Sequence, residues 1–335
     1  MRNPLAKKFN LRDFLMSYGF VIVFVLVFFI FSVGTKTFLT VDNILTVLSN
    51  AAPWLVMASG ITLVIMTASI DISIGSILFL ALASANMLML YRGMSVAIGI
   101  PMVLLTGILL GAINGLLIVV LRINPLITTM GMMFILRGFT LWITNGQVQD
   151  IPPALQVFGQ IGLFKEFIIG ISAVILILMH ILVTRTKFGR HVMAIGNSPE
   201  IAERLGVRVQ LVTFMTFVFS GLMVCVGGTI QIMQIANIHP RLGQGYEFVA
   251  IAAIVVGGIS LFGGEGKIIP GLVLGGLTLV MAENGLIHLG VSPYAYPFVR
   301  GGIIFIAMYA DAMKSRVLVR VRVTVEDEPA LIGAA

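Results

Sequence analysis

VAIGIPMVLLTGILLGAINGLLIVVL, residues 96–121, decides the fold, because only small polar residues interrupt this long apolar run. Residues 20–33 form a second run that contains almost nothing polar. A helix needs about 20 apolar residues to cross a bilayer, and only helices and closed barrels satisfy the backbone there. A barrel would show segments of roughly ten residues in strict alternation, which this chain lacks. The sequence therefore predicts an all-α integral membrane protein.

Composition excludes a water-soluble globular protein. Of the 335 residues, 59% are apolar and only 10% are charged, and the mean hydropathy is +1.08. A soluble domain carries about a quarter charged residues because it faces water. The single cysteine, Cys225, excludes a disulfide framework and a cysteine-ligated metal site. No cofactor or metal is predicted, and the first apolar run is too long for a cleaved signal peptide.

Ten segments have the length and apolar character of membrane spans. The second and third are separated only by Asp71–Gly75, where we predict a broken or re-entrant element. The predicted spans are residues 14–33, 51–70, 73–91, 95–121, 126–144, 166–184, 211–234, 247–262, 268–289 and 296–312.

Lysine and arginine set the predicted orientation. With a cytoplasmic N-terminus, fifteen of the 21 basic residues lie inside and five outside, as the positive-inside rule requires. Arg137 remains within a span. Both termini are then cytoplasmic, and the net charge of +7 needs no nucleic-acid partner. The predicted division is a tail at 1–13, a transmembrane domain at 14–312 with an inside loop at 185–210, and a tail at 313–335.

The inside loop carries signals for a short amphipathic helix of about two turns. Ser198 is a good N-cap, and Pro199 suits the first helical position. Glu200 and Glu203 follow in the first turn, where acidic charge complements the helix dipole. Gly206 is a typical helix stop. Capping this complete indicates a defined element on the cytoplasmic face.

The same loop resembles the cytoplasmic coupling segment of bacterial ABC importer permeases of the ribose and branched-chain amino acid type. In particular, the stretch Glu200-Ile-Ala202-Glu-Arg-Leu-Gly206 is similar to the broader importer signature, with Ile201 in place of an alanine. The resemblance implies that a coupling helix here docks on an ATP-hydrolysing subunit. The residues that match the family's coupling segment are Gly189, Arg190, Ala194, Gly196, Asn197, Glu200, Ala202 and Gly206.

Further segments resemble the same family in the same order, and together they cover roughly residues 40 to 312. They are Ser69–Ser76, Asn124–Gly138, Gly245–Gly258 and Leu261–Lys267. The resemblance implies about ten transmembrane helices per subunit, a homo- or heterodimer of permeases, two cytoplasmic ABC ATPases and a periplasmic substrate-binding protein. It also implies the bacterial inner membrane, contact with membrane lipid, and a small ribose-like sugar as solute.

Three alternatives stay open at this point. Autoinducer-2 or branched-chain amino acids are alternative solutes within the family. An ion-coupled secondary transporter would use Asp71 and Glu283 as carriers. An intramembrane enzyme would need a convergent catalytic group, which is not found. Gly263–Lys267 is glycine-rich, but its spacing is wrong for a phosphate-binding loop, so ATP hydrolysis is expected in a separate subunit.

Polar residues within spans are the candidates for a pathway or gate, because polar groups in lipid are costly. Asp71 either fixes the broken element through the serines around it or acts directly in transport. Arg137 is expected to reach the outer interface by snorkelling. Glu247, Glu283, Asn284 and Arg300 are expected to line an outer vestibule. The candidate pathway or gating residues are Asp71, Ser73, Asn114, Arg137, Glu247, Glu283 and Asn284.

Glycines at helical spacing predict close contacts between helices, since small residues let backbones approach. The two sets are Gly107, Gly111 and Gly115, and Gly271, Gly275 and Gly276.

Overall fold

The computed structural model describes residues 11–159, 162–306 and 308–309, and these residues are almost entirely helical. The helices are α1 Leu11–Gly34, α2 Val41–Met66, α3 Ile74–Arg92, α4 Val96–Val119, α5 Pro125–Thr144, α6 Pro153–Gly159, α7 Phe164–Arg185, α8 Lys187–Asn197, α9 Pro199–Arg204, α10 Val209–Ile235, α11 Tyr246–Val256, α12 Val273–His288 and α13 Tyr296–Ile306. A π-helical turn, Ile268–Leu272, precedes α12, and β1 Gln149–Asp150 pairs antiparallel with β2 Asn237–Ile238.

The predicted all-α membrane class is confirmed. Within the described residues, seven helices are long and apolar enough to cross a membrane, and three shorter apolar helical stretches accompany them: Tyr18–Gly34 within α1, Tyr246–Val256 and Tyr296–Ile306. Each of the ten predicted spans overlaps one of these seven helices or three stretches. The predicted C-terminal tail and most of the predicted N-terminal tail lie outside the described residues.

Helix α2 begins ten residues earlier than predicted, at Val41 instead of residue 51. Its first ten residues were not predicted as part of a span, because the polar side chains there lower the local hydropathy. These residues have partners in the folded chain. The Asp42 carboxylate accepts a hydrogen bond from Lys165 Nζ at 2.9 Å, and Asn43 exchanges hydrogen bonds with Asn284.

The helix of the predicted eighth span is shorter than expected. Instead of residues 247–262, α11 covers only 11 residues, which is about 16 Å of rise and roughly half of a bilayer. The chain reaches its start through residues 239–245, which are not regular helix. Gly243 touches Gly75 at the start of α3, where a Cβ on Gly75 would lie 1.8 Å from the Gly243 carbonyl oxygen. Hydropathy alone does not reveal a half-length helix.

The bundle is centred on α2, α3 and α10, whose inner faces are buried. The predicted close packing through small residues is confirmed between α4 and α10. A Cβ on Gly107 would lie 2.4 Å from the Gly221 carbonyl oxygen, and one on Gly221 would lie 2.1 Å from the Gly107 oxygen. Gly111 meets the Phe217 carbonyl in the same way, at 2.4 Å. Side chains larger than hydrogen would force these two helices apart.

The second glycine set packs α12 against α11, again as predicted. A Cβ on Gly275 would lie 2.0 Å from the Ala253 carbonyl oxygen. Gly271 faces Gly257, and Gly276 faces the side chain of Leu55 on α2. The half-length helix is therefore held by backbone-to-backbone contact along one side.

Candidate functional site

The predicted coupling segment, residues 185–210, folds as two short helices. The predicted capped helix is present as α9, where Ser198 Oγ accepts a hydrogen bond from Ile201 N at 3.3 Å. It covers six residues, somewhat less than the predicted two turns, and Gly206 follows with a positive φ of 82°. Helix α8 was not predicted. Its N-cap, Thr186, accepts a hydrogen bond from Gly189 N at 3.2 Å and is the local signal that could have revealed it.

The eight candidate coupling residues separate into buried and exposed groups. Ala202 is 1% exposed, and Gly189 lies against the end of α7, where a Cβ would be 2.0 Å from the Val183 carbonyl oxygen. Arg190, Glu200 and Gly206 are exposed, and Ala194 is half-buried. The exposed ones occupy the surface beside α9, whereas the buried ones attach the segment to the bundle.

Gly196 and Asn197 join three parts of the chain at the end of the bundle that the sequence predicts to be cytoplasmic. A Cβ on Gly196 would lie 1.9 Å from the Met66 carbonyl oxygen and 2.2 Å from Gly264 N. Gly264 N donates a hydrogen bond to that Met66 oxygen at 3.0 Å. Asn197 Nδ2 donates to the Gly264 carbonyl at 3.4 Å. We call residues 66–68, 196–197 and 263–264 the cytoplasmic joint.

The cytoplasmic joint leads directly to the predicted break. Helix α2 ends at Met66 and α3 begins at Ile74, so residues 67–73 are not regular helix. Asp71 in this break is 1% exposed. Its Oδ1 accepts hydrogen bonds from Ser73 N at 3.1 Å and Ser73 Oγ at 2.7 Å. Its Oδ2 accepts one from Ser220 Oγ at 3.1 Å.

Asn114 completes this buried polar cluster, since its Nδ2 donates to Ser73 Oγ at 2.8 Å. The structure thus brings three predicted candidates, Asp71, Ser73 and Asn114, into one hydrogen-bonded group. Ser220 was missed because it lies 149 residues from Asp71 in the chain. The cluster ties the break to α4 and α10.

Arg137 does not reach outward, contrary to the snorkelling that we expected. Its Nη1 donates to the carbonyls of Leu242 at 2.7 Å and Pro240 at 3.3 Å, and its guanidinium lies 4.9 Å from the Phe79 ring centroid. The carbonyls of a non-helical segment inside a membrane need donors, and Arg137 supplies them. Residues 239–245 are held in place by this side chain.

The acidic candidates occupy different surroundings. Glu247 stands in the first turn of the half-length α11 and is 7% exposed, so it does not open a span at the outer surface as expected. Glu283 forms an ion pair with Arg300, whose Nε donates to Glu283 Oε1 at 2.8 Å. Asn284 turns to α2 and exchanges hydrogen bonds with Asn43 at 2.9 and 3.1 Å.

Glu283 and Arg300 line a small cleft between α2, α11, α12 and α13. Trp54 and small or aliphatic residues form the rest of its wall. Of the four residues expected at an outer vestibule, Glu283 and Arg300 line this cleft, whereas Glu247 and Asn284 do not. In the described part of the chain, no group of three or more His, Cys, Asp or Glu residues is placed to hold a metal ion.

Comparison with known proteins places this architecture in a family. Residues 43–308 match the family described as the branched-chain amino acid transport system, permease component. The ribose import permease protein of Escherichia coli strain K12 is 30% identical over 315 residues, which cover 92% of this chain and 98% of that protein. No solved structure matches the chain.

Two further relatives have a similar extent. The autoinducer 2 import system permease protein of Escherichia coli O9:H4 is 34% identical, covering 90% of this chain and 87% of that protein. The galactose/methyl galactoside import permease protein of Haemophilus influenzae is 33% identical, covering 83% and 88%. These matches run through the half-length helix, the break and the cytoplasmic segment described above. The chain therefore belongs to the family of permease components of the branched-chain amino acid transport system type.

Proposed function

We propose that this chain is the membrane-spanning subunit of an ATP-driven ABC importer that carries a small ribose-like sugar across the bacterial inner membrane. The observation that carries the proposal is the 30% identity to a ribose import permease over 92% of the chain. The solute arrives from a periplasmic binding protein. Two copies of the permease, or this chain and a homologue, enclose the pathway, and two separate ABC ATPases hydrolyse ATP.

The proposed topology has ten crossings with both termini in the cytoplasm. The seven long helices and the shorter α1 and α13 each make one crossing. The tenth crossing consists of residues 239–245 followed by the half-length α11. This stretch begins after β2 and leads to Gly264 in the cytoplasmic joint, so its two ends lie at opposite ends of the bundle in the proposed topology. The excess of basic residues on the inner loops supports this orientation. The division into tails at 1–13 and 313–335 and a transmembrane domain at 14–312 follows.

The proposed ATPase contact is the exposed side of α9. Ile201 and Leu205 are 58% and 77% exposed there, and exposed apolar side chains beside charged ones are typical of a protein contact. Glu200 and Arg204 flank them. The buried Ala202 holds the helix against the bundle. Movement of the ATPase would therefore move α9 and α8 together.

The proposed route of this movement into the membrane is the cytoplasmic joint. Helix α8 ends at Asn197, and Gly196 is in backbone contact with Met66. Met66 is followed at once by the break, whose Asp71 is hydrogen-bonded to α10 through Ser220. Displacement of α8 would thus shift the start of α3. A parallel route runs through α7 and α10, the two helices that flank the loop in the chain.

Uptake in reconstituted vesicles tests the function. The permease, its ATPase and its binding protein are combined, and entry of labelled D-ribose is measured with ATP, without ATP, and with a hydrolysis-dead ATPase. We expect uptake only with ATP and an active ATPase. Uptake that persists without ATP and stops when an ion gradient is collapsed would indicate a secondary transporter instead. Autoinducer-2 and leucine serve as competing solutes.

Co-purification with the ATPase tests the contact. Glu200→Arg, or deletion of residues 198–206, is expected to abolish both ATPase association and uptake. Glu166→Arg is the matched control, since it makes the same charge reversal on an exposed residue in the first turn of α7. Intact association and uptake after the change at Glu200 and after the deletion would refute the coupling role of α9.

A further inference from the structure

We infer that residues 239–245 line the solute pathway and that Arg241 on this segment is a barrier to cations. The inference rests on the proposed function and extends it by naming the charge that keeps a sugar pathway from leaking ions. The observation that carries it is a pair of exposed polar side chains, Arg241 and Gln244, on a non-helical segment within the depth of the bundle.

The depth of Arg241 follows from its neighbours in the chain. Arg137 Nη1 donates to the carbonyls of Pro240 and Leu242, which lie on either side of Arg241. Arg137 itself stands 12 residues from the start of α5 and seven from its end, which are rises of about 18 Å and 10 Å. Arg241 is therefore anchored between the two ends of α5 and not at either surface.

Gln244 lies at a deeper level in the proposed topology. Its neighbour Gly243 touches Gly75 in the first turn of α3, and Gly75 is 17 residues, or about 25 Å, from the outer end of that helix. The inner surface is also distant. Asp71, four residues before Gly75, accepts a hydrogen bond from Ser220, which stands 11 residues, or about 16 Å, from the inner end of α10.

The neighbouring helices show what a lipid-facing surface looks like in this chain. On α5, the exposed positions are apolar or aromatic residues and the two glycines Gly131 and Gly138. On α4, the exposed positions are apolar throughout. Arg241 and Gln244 break this pattern. Because a charged side chain is costly in lipid, such residues almost always face the bundle interior or a water-filled cavity.

Arg241 also differs from Arg137 in what it binds. The Arg137 guanidinium is occupied by main-chain carbonyls. Within the part of the chain that the structure describes, the ion pairs join other residues, so no carboxylate there neutralises Arg241. Its side chain is exposed beside the exposed Gln244. An unneutralised charge at this depth needs water around it, and the solute pathway supplies that water.

A guanidinium on the wall of a narrow pathway repels cations. Arginine stays protonated in proteins, and salt screens its field only beyond about 8 Å at physiological ionic strength. Arginines exclude protons and cations from other membrane pores. A sugar has no net charge and passes this field, and the Gln244 amide can both donate to and accept from its hydroxyls.

Sodium entry during transport tests the barrier. The complete complex is reconstituted in vesicles that contain a sodium-sensitive dye, and Na⁺ entry is measured during ATP-driven uptake of D-ribose. Arg241→Gln should raise Na⁺ entry by about fivefold or more, because the repelling charge is gone. Arg241→Lys should keep entry near the wild-type level. Arg92→Gln is the matched control, since it removes an exposed arginine at the end of α3, and it should not admit Na⁺.

Thiol labelling tests the same barrier while Arg241 is kept. Gln244→Cys is treated during ATP turnover with an anionic (sulfonatoethyl) or a cationic (trimethylammonioethyl) methanethiosulfonate. Relative to a free thiol in solution, it should favour the anionic reagent by about fivefold or more, and adding Arg241→Gln should remove this preference. Phe134→Cys, at a position on α5 that is 66% exposed, should react with neither reagent, and the native Cys225 is fully buried.

The two levels of the proposal fail differently. If the wild-type complex imports no sugar with ATP, the proposed function itself is refuted. If it imports D-ribose but Arg241→Gln admits no more Na⁺ than Arg92→Gln, only the barrier fails. A thiol at Gln244→Cys that reacts no faster than Phe134→Cys, or that shows no preference for the anionic reagent, would likewise overturn the inference even if Arg241→Gln did not fold.

Discussion

Replacement of Gly196 by alanine should disconnect the cytoplasmic segment from the break between α2 and α3. The new Cβ would lie 1.9 Å from the Met66 carbonyl oxygen, whereas ordinary contact begins at 3.4 Å, so the two backbones must separate by the difference of 1.5 Å. Neither neighbour can yield through a side-chain rotation, because the nearest atoms, Met66 O and Gly264 N, belong to the main chain. The hydrogen bond from Gly264 N to Met66 O lies in the same place.

The magnitude follows from the two opposing effects. Overpacking of a close contact typically costs about 1–3 kcal/mol, which corresponds to a decrease of about 5- to 150-fold in the population of the joined state. Alanine also raises helix propensity by about 0.8–1 kcal/mol relative to glycine. That gain stabilises α8 itself and does nothing to bring α8 closer to Met66. The joint should therefore open while α8 and α9 remain folded.

The assay separates coupling from assembly. Gly196→Ala should still bind the ATPase, because the exposed side of α9 is unchanged, but sugar uptake should fall at least fivefold. Gly170→Ala on α7 is the matched control, since nothing lies within 4 Å of its added Cβ, and it should transport as wild type. Uptake by Gly196→Ala at the wild-type rate, with the ATPase bound, would refute coupling through the cytoplasmic joint. The route through α7 and α10 would then remain.

Three further variants test the interior. Asp71→Ala should lower the thermal unfolding temperature in detergent, because three buried donors lose their acceptor at a cost of about 1–3 kcal/mol each. An unchanged unfolding temperature would contradict this. So would an unfolding temperature for Asp71→Asn as low as that of Asp71→Ala. Arg137→Met should make residues 239–245 accessible to protease, because the carbonyls of Pro240 and Leu242 lose their donor. Arg137→Lys should protect this segment in part. Equal protection in both variants would show that Arg137 does not hold the segment in place. Gly107→Leu should prevent stable folding, as judged by size-exclusion chromatography, while Gly131→Leu, with nothing within 4 Å of its Cβ, should not.

Features that depend on neighbouring residues were predictable from the sequence. Apolar runs indicated the seven helices that are long enough to cross a membrane and the three shorter apolar ones, since span formation depends on local hydropathy. The capped helix α9 was found for the same reason, because Ser198 and Gly206 act on their own backbone. The glycine contacts of α4 followed from the four-residue spacing at Gly107, Gly111 and Gly115, although the sequence did not show that α10 was the partner.

Features that depend on distant partners were not predictable. The early start of α2 needs Lys165 and Asn284 to satisfy Asp42 and Asn43. Arg137 was expected at the outer interface because its acceptors lie more than 100 residues away, at Pro240 and Leu242. A hydropathy average over neighbouring residues includes none of these partners. It therefore predicts that a polar residue within a span faces lipid or water.

The charges inside the bundle then divide by what they bind. Two non-helical segments interrupt the bundle, and each is held by the side chain whose chemistry matches its main-chain group. Before α3, the Asp71 carboxylate accepts from a backbone N–H; before α11, the Arg137 guanidinium donates to backbone carbonyls. Both charges thus have a structural task at the two ends of the Gly75–Gly243 contact. Among the described residues, Glu283 and Arg300 pair with each other and not with the main chain, and both side chains stay about one-third exposed.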